Sequence, residues 1–333
     1  MDFSLARILA ARKRIAEITD RTPLVPSELS ERFGHEVLLK LEITQPIGAF
    51  KLRGAVSAIF NLPDGVTGVT CCSTGNHGRG VAFAARERGI RAVVCMSKLA
   101  PEAKFAGVRA LGAEARIIGE SQDDAQAEAE RLVTEESLTE ISRFDDPDVI
   151  AGQGTIGLEL LQARPDLHTI LVPLSGGGLA GGVAFAAKRI NPDVRVIGIT
   201  MDRGAAMYES IRAGHPVEVE EVPSLDDSLG GGIGLQNKLS FPLCRDYLDD
   251  IVLVSEEEIY RALQAIYYED RIVSEGACVV GIAAVQAGKV KLSGPTATII
   301  TGRNLDMGIH ADIMAGRDVP LGDYTVKGTP YEP

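Results

Sequence analysis

Residues 170–181 read Ile170-Leu171-Val172-Pro173-Leu174-Ser175-Gly176-Gly177-Gly178-Leu179-Ala180-Gly181, and small apolar residues continue to Ile190. A continuous apolar run, a glycine cluster and a helical pattern ending before Pro192 make a strand, a tight turn and a helix. Such a turn leaves the first amides of the helix without acceptors, at the positive end of its dipole, so the segment is an anion cradle. Ser175 adds a hydroxyl, and Ser175, Gly176, Gly177, Gly178 and Leu179 are predicted to hold a phosphate. With Gly181 the same stretch fits the G-x-G-x-x-G spacing of a dinucleotide site, which also needs an acidic residue ending the next strand to hold a ribose. That strand ends at Thr200-Met201, with Asp202 just beyond. A second match, Gly152-Gln153-Gly154-Thr155-Ile156-Gly157, follows Asp146-Pro147-Asp148, which reads as a helix start and not as a strand.

Outward from this unit the chain alternates. Apolar runs at 37–41, 69–72, 92–96, 115–118, 194–200, 251–254 and 297–300 are strand candidates, with helical stretches at 5–18, 80–88, 101–111 and 179–190 and a capping box at Ser255-x-x-Glu258. Val- and Ile-rich strands alternating with helices predict an α/β fold of two interleaved domains, each a mostly parallel sheet flanked by helices. We place a large domain at residues 1–67 and 146–333 and a small one at 68–145. Residues 204–238 read as a long connection or mobile lid, the chain after Asn304 as loop-like, and 318–333 as a surface tail.

A length of 333 residues suits two domains, and 45% hydrophobic with 24% charged residues is ordinary for a folded soluble protein. The balance of 34 basic against 46 acidic residues, a net charge of −12, has the wrong sign for a nucleic-acid partner. Cys71, Cys72, Cys95, Cys244 and Cys278 lack framework spacing and sit mostly in apolar runs, which reads as a reducing compartment. Adjacent Cys71 and Cys72 point to opposite faces of a strand and cannot share a zinc ion, so no metal is expected. Arg7, Arg12, Lys13 and Arg14 interrupt the first apolar pattern, which is therefore neither a signal peptide nor a membrane span. The expectation is a cytoplasmic protein with no membrane and no nucleic-acid partner.

Three further segments carry chemistry. Gly48-Ala49-Phe50-Lys51 sets a lysine at a helix start among apolar neighbours, where the dipole and desolvation lower its pKa and make it a candidate nucleophile. Ser73-Thr74-Gly75-Asn76-His77-Gly78 follows a strand and opens a helix, a second cradle whose hydroxyls and side-chain amide suit a carboxylate. His77 is open to acid–base work or to a structural role. Thr301-Gly302-Arg303-Asn304 ends another strand with a hydroxyl at the carboxyl edge, where ligands of open α/β sheets collect.

Taken in order, from Thr22-Pro23-Leu24 to Asn304, these segments and Val149-Ile150-Ala151-Gly152-Gln153-Gly154-Thr155 resemble the fold-type II pyridoxal-phosphate enzymes of the serine/threonine dehydratase and serine racemase group. The resemblance implies pyridoxal 5'-phosphate held by Lys51 as a Schiff base, with Phe50 beside it, Asn76 bonded to the ring hydroxyl and Ser175 to Leu179 on the phosphate. It also implies Thr301 facing the pyridine nitrogen and the substrate on Ser73, Thr74, Gly75, Asn76 and His77. Lys51 would serve as anchor and base, Thr74 as a proton donor on the second face. A hydroxyl at the ring nitrogen weakens the electron sink and favours elimination over transamination. The implied activity is ammonia loss from a small-molecule β-hydroxy amino acid, threonine- or serine-like, by a homodimer. A narrower likeness, at Ile43-Thr44-Gln45-Pro46 and the tail, is to dehydratases of hydroxyectoine utilisation.

Departures matter as well. Thr200 and Ala206 stand where metal-activated members carry oxygen ligands, Glu275-Gly276 where the group has Glu-Pro, and Arg303 where it has glycine. Arg303 either reads a second acidic group on the substrate or braces the tail. An amino-acid racemase, a nicotinamide-dependent dehydrogenase using 176–181 and a non-catalytic amino-acid sensor remain as alternatives.

Overall fold

The computed structural model describes residues 3–73, 75–98, 100 and 102–332; Thr74, the expected second-face donor, lies outside the described residues. The chain opens with α1 (Leu5–Ile15), β1 (Leu24–Pro26), α2 (Ser30–Phe33), β2 (Val37–Leu41) and α3 (Lys51–Ile59). It then builds β3 (Gly68–Cys72), α4 (Asn76–Arg88), β4 (Arg91–Met96), α5 (Glu102–Arg109), β5 (Glu114–Ile117), α6 (Gln122–Glu136) and β6 (Thr139–Glu140). From there α7 (Pro147–Ala163), β7 (Thr169–Pro173), α8 (Gly178–Ile190), β8 (Arg195–Met201), α9 (Ala206–Ala213), α10 (Ser240–Tyr247) and β9 (Asp250–Val254) follow. Last come α11 (Glu256–Tyr268), α12 (Gly276–Gln286), β10 (Thr296–Ile300), α13 (Met307–Met314) and the hairpin of β11 (Val319–Leu321) and β12 (Tyr324–Val326).

The α/β expectation holds. A six-stranded sheet has the order β1-β2-β10-β7-β8-β9, with only β1 antiparallel to its neighbour. A four-stranded, all-parallel sheet has the order β5-β4-β3-β6. The central strands β3, β7 and β10 are buried at every residue, as strands covered by helices on both faces must be. β10 comes late in the chain but inserts between β2 and β7, parallel to both, so the strand order changes sense there, and the crevice outside the carboxyl ends at such a point is where ligands of open α/β sheets lie.

A buried ionic cluster fixes α3. Arg53, 1% exposed, bonds Glu42 at 2.8 and 2.9 Å and Glu159 at 2.7 and 3.0 Å. Lys40 on β2 reaches Glu159 at 2.5 Å. Two cations and two anions thus join β2, α3 and α7, and every charge has a partner.

Some boundaries differ from expectation. The helix after the 73–78 loop starts at Asn76 and not Gly80, so that loop is the helix N-terminus itself. The first helix ends at Ile15, and Ile18 closes a turn onto Ile15 O at 3.0 Å. The stretch after Asn304 is neither loop-like nor a surface tail. Val319, Leu321 and Val326 are buried in the core against α11, and Gln264 Nε2 donates to Ile313 O and Thr329 O, each at 2.8 Å. Their short alternation of buried and exposed residues is too brief to stand out as strands, and partners far back in the chain make it stable. Among the described residues no helix is long and apolar enough to cross a membrane.

Candidate active site

The Lys51 turn is stitched to the end of β10. Phe50 N–H donates to Thr301 O at 2.9 Å, Arg303 N–H to Gly48 O at 3.0 Å, and Ala49 bridges Gly302. Gly48 has φ +74°, which favours glycine, and a Cβ there would press on Arg303 Cγ at 3.1 Å. Lys51 then opens α3 with its half-buried side chain donating from Nζ to Arg143 O at 3.0 Å. Phe50 lies alongside, its ring centroid 5.3 Å from Nζ. Desolvation, followed by the nearby Arg143 charge, lowers the amine's pKa to about 8. Among the described residues no carboxylate offsets it.

The glycine loop connects β7 to α8. Gly177 adopts φ +86°, and a Cβ there would lie 2.6 Å from Met207 Cε. At Gly176 it would meet the Phe144 ring at 2.2 Å, and at Gly178 the Phe144 backbone at 2.9 Å. Ser240 Oγ braces the loop by donating to Gly176 O at 2.6 Å. The amides of Gly176, Gly177, Gly178 and Leu179 have no acceptor among the described residues. The loop is therefore a set of backbone donors at a helix N-terminus, with no room for side chains.

The second cradle opens α4. Gly75 N–H donates to Ser73 Oγ at 3.2 Å and the amides of Asn76, His77 and Gly78 are free of acceptors among the described residues. Asn76 Nδ2 donates to both oxygens of Glu275 at 2.9 and 3.0 Å, and its Oδ1 accepts from Asn304 Nδ2 at 2.7 Å. One N–H of the Asn76 amide is enough for Glu275, which leaves the other for a ligand. The His77 ring is buried and bonds Ile141 O through Nε2 at 2.8 Å. Desolvation, then the charge of Lys51, pushes its pKa down to about 3, so the ring stays neutral and its backbone amide is the part turned to the cradle.

At the end of β10, Thr301 is 4% exposed and its hydroxyl shares a hydrogen bond with Cys278 Sγ at 3.2 Å. No carboxylate meets it. Glu275, which caps α12 nearby, accepts from Asn304 N–H at 2.8 Å as well as from Asn76, and desolvation still raises its pKa. Among the described residues no three His, Cys, Asp or Glu side chains are grouped to hold a metal; Thr200 is buried in β8 and Ala206 starts α9.

The sequence profile of the family described as pyridoxal-phosphate dependent enzyme matches residues 15–302. This chain belongs to that family. A putative threonine dehydratase of Sinorhizobium fredii is 53% identical over 319 residues, covering 95% of this chain and 96% of that protein. The L-threonine ammonia-lyase of Thermotoga maritima is 39% identical across 92% of this chain and 76% of that protein. The solved structure of maize serine racemase matches with a TM-score of 0.89 at 32% identity, covering 95% of this chain and 98% of that one. The chain is a pyridoxal-phosphate-dependent lyase of the threonine dehydratase and ammonia-lyase type.

The site of this lyase fits its cofactor. A loop whose every Cβ position is occupied, with four unclaimed amides, accepts a phosphate, and a lysine with a depressed pKa suits an aldehyde. Sequence reasoning quoted Asn304 and noted Glu275 as a departure but gave neither a role. Their signal was weak, since only folding brings Glu275 199 residues away in sequence onto Asn76. Phe144 and Arg143, which press on the glycine loop and on Lys51, carried none.

Proposed function

We propose that the lyase removes water and then ammonia from a β-hydroxy amino acid, threonine- or serine-like, to give a 2-oxo acid. The observation that carries this is the Lys51 amine, held beside the Thr301 strand end with its pKa lowered to about 8. Pyridoxal phosphate, when bound, supplies an electron sink that acidifies the substrate's Cα–H. Ser175 to Leu179 would hold its phosphate, Lys51 its aldehyde carbon, Asn76 its ring hydroxyl and Thr301 its ring nitrogen.

The chain's own groups do the rest. The α4 N-terminus, from Ser73 through Gly75, Asn76 and His77, binds the substrate carboxylate on free amides. Roughly one Lys51 in ten is a neutral amine at pH 7, enough to take the Cα proton at Nζ. Thr301 offers a hydroxyl where a carboxylate would keep the ring nitrogen charged, so loss of the β-hydroxyl outpaces proton return to Cα. The likeness to maize serine racemase supports a second, minor activity, proton delivery from the opposite face by Thr74. Residues 68–145 are our proposed small domain, 1–67 and 146–333 the large one. Five buried cysteines, none of them in a disulfide among the described residues, suit a reducing cytoplasm. We keep the homodimer as a proposal for light scattering. The test is ammonia and 2-oxo acid release by the yellow holoenzyme from a panel of L-threonine, L-serine and hydroxyectoine-derived β-hydroxy amino acids. Release from none of these or from any other β-hydroxy amino acid overturns the reading; D-serine formed from L-serine measures the minor activity.

A further inference from the structure

The reaction proposed above brings two anions into the site, and each has its own cradle: the phosphate at the α8 N-terminus and the α-carboxylate at the α4 N-terminus. Three guanidinium groups on the segments that build this site make no ion pair among the described residues. Arg303 is exposed, its stem lies along the Gly48 turn, and its side chain has no hydrogen-bond or ionic partner among the described residues. Arg143 contributes its carbonyl to Lys51 and its charge to both Lys51 and His77, again with no carboxylate partner among the described residues. Arg79, one turn along α4 from Asn76, has a buried Nε without a partner among the described residues, and its pKa is lowered by desolvation against the opposing charge of Glu275.

Several arginines elsewhere on this acidic chain hold two carboxylates each. Arg164 holds Glu36 and Asp166, Arg91 holds Glu114 and Glu136, and Arg131 holds Glu128 and Glu135. Positive charge without an ion-pair partner on the segments that carry Lys51 and its neighbours, on a chain of net charge −12, suits an additional anion. Arg303 is the member built onto the Lys51 turn itself, and its planar fork suits a carboxylate in two parallel bonds.

We propose that Arg303 reads a second carboxylate on the substrate, which makes the preferred substrate class the 3-hydroxy dicarboxylic amino acids. This rests on the lyase reading above. The chemistry balances without an oxidant or reductant. Lys51 takes the Cα proton, the Cβ–O bond breaks and the hydroxyl leaves with a proton as water. The resulting enamine tautomerises to an imine, and water adds to it as ammonia leaves, giving a 2-oxo dicarboxylic acid.

The experiment compares kcat/KM for ammonia release from 3-hydroxyaspartate, as separate threo and erythro forms, with that from L-threonine and L-serine, in the wild-type holoenzyme and in Arg303→Gln and Arg303→Lys. The expected result is a wild-type preference for one 3-hydroxyaspartate isomer. Arg303→Gln lowers the ratio of 3-hydroxyaspartate to L-threonine at least tenfold, mainly through KM, and Arg303→Lys lowers it less. A wild-type preference for L-threonine or L-serine overturns the proposal while leaving the lyase reading in place, as does a ratio that Arg303→Gln changes by less than threefold. Ammonia from none of the substrates overturns the lyase reading and this proposal together.

Discussion

Lys51 and Arg53 stand two residues apart on the first turn of α3, and both have left bulk water, yet their pKa values move in opposite directions. Arg53 faces Glu42 and Glu159, which return more than desolvation removes, and its pKa rises. Lys51 faces a carbonyl and another cation, and its pKa falls to about 8. Burial alone decides neither. The partner decides, and one helix uses a satisfied charge to hold its frame and an unsatisfied one to do chemistry.

The sharpest break of this contrast is Lys51→Ala. Ammonia release by the holoenzyme should fall by roughly a thousandfold or more, because anchor and base are lost together. Its Tm at pH 7 should hold or rise, since an amine whose pKa is depressed by burial costs stability below pH 8. Arg53→Met should do the reverse. Leaving Glu42 and Glu159 without their shared cation should cost about 3–5 kcal/mol in denaturant unfolding, and activity should vanish only in step with the folded fraction.

Arg143→Gln sharpens the comparison from the other side. Without that charge the Lys51 pKa should climb, so the pH at which apoprotein captures pyridoxal phosphate half-maximally should move upward by a few tenths of a unit. No shift would mean that the two charges do not meet. Asp226 gives the smallest effect. It is buried with no cation partner among the described residues, and desolvation pushes its carboxyl up to about 7. The folded chain therefore binds a proton between pH 4 and 7 that the unfolded chain has lost, and stability falls as pH rises through that range. Asp226→Asn should raise Tm by a few °C at pH 8 and hardly at all at pH 4, measured by thermal scans.

Much of this was legible in the sequence because local chemistry repeats there. The strand, glycine loop and helix at 169–190 needed only an apolar run, three glycines and Pro192, and the Lys51 turn only its glycine and its apolar neighbours. Residues whose roles depend on distant partners were not legible. Glu275 matters because it grips Asn76 and Asn304, and Phe144 because it fills the space beside Gly176. The C-terminal hairpin failed as a prediction for the same reason, since the chain on either side of its two three-residue strands is held by Tyr260 and Gln264 on α11, which donate to Arg317 O and Thr329 O.

The most direct test of the account is to reduce the yellow holoenzyme with borohydride, digest it and locate the pyridoxyl mass by peptide sequencing. The account predicts one labelled residue, Lys51, with labelling of the apoprotein by added cofactor rising through pH 8 as the amine deprotonates. A label on any other lysine, or capture independent of pH between 6 and 10, would contradict it.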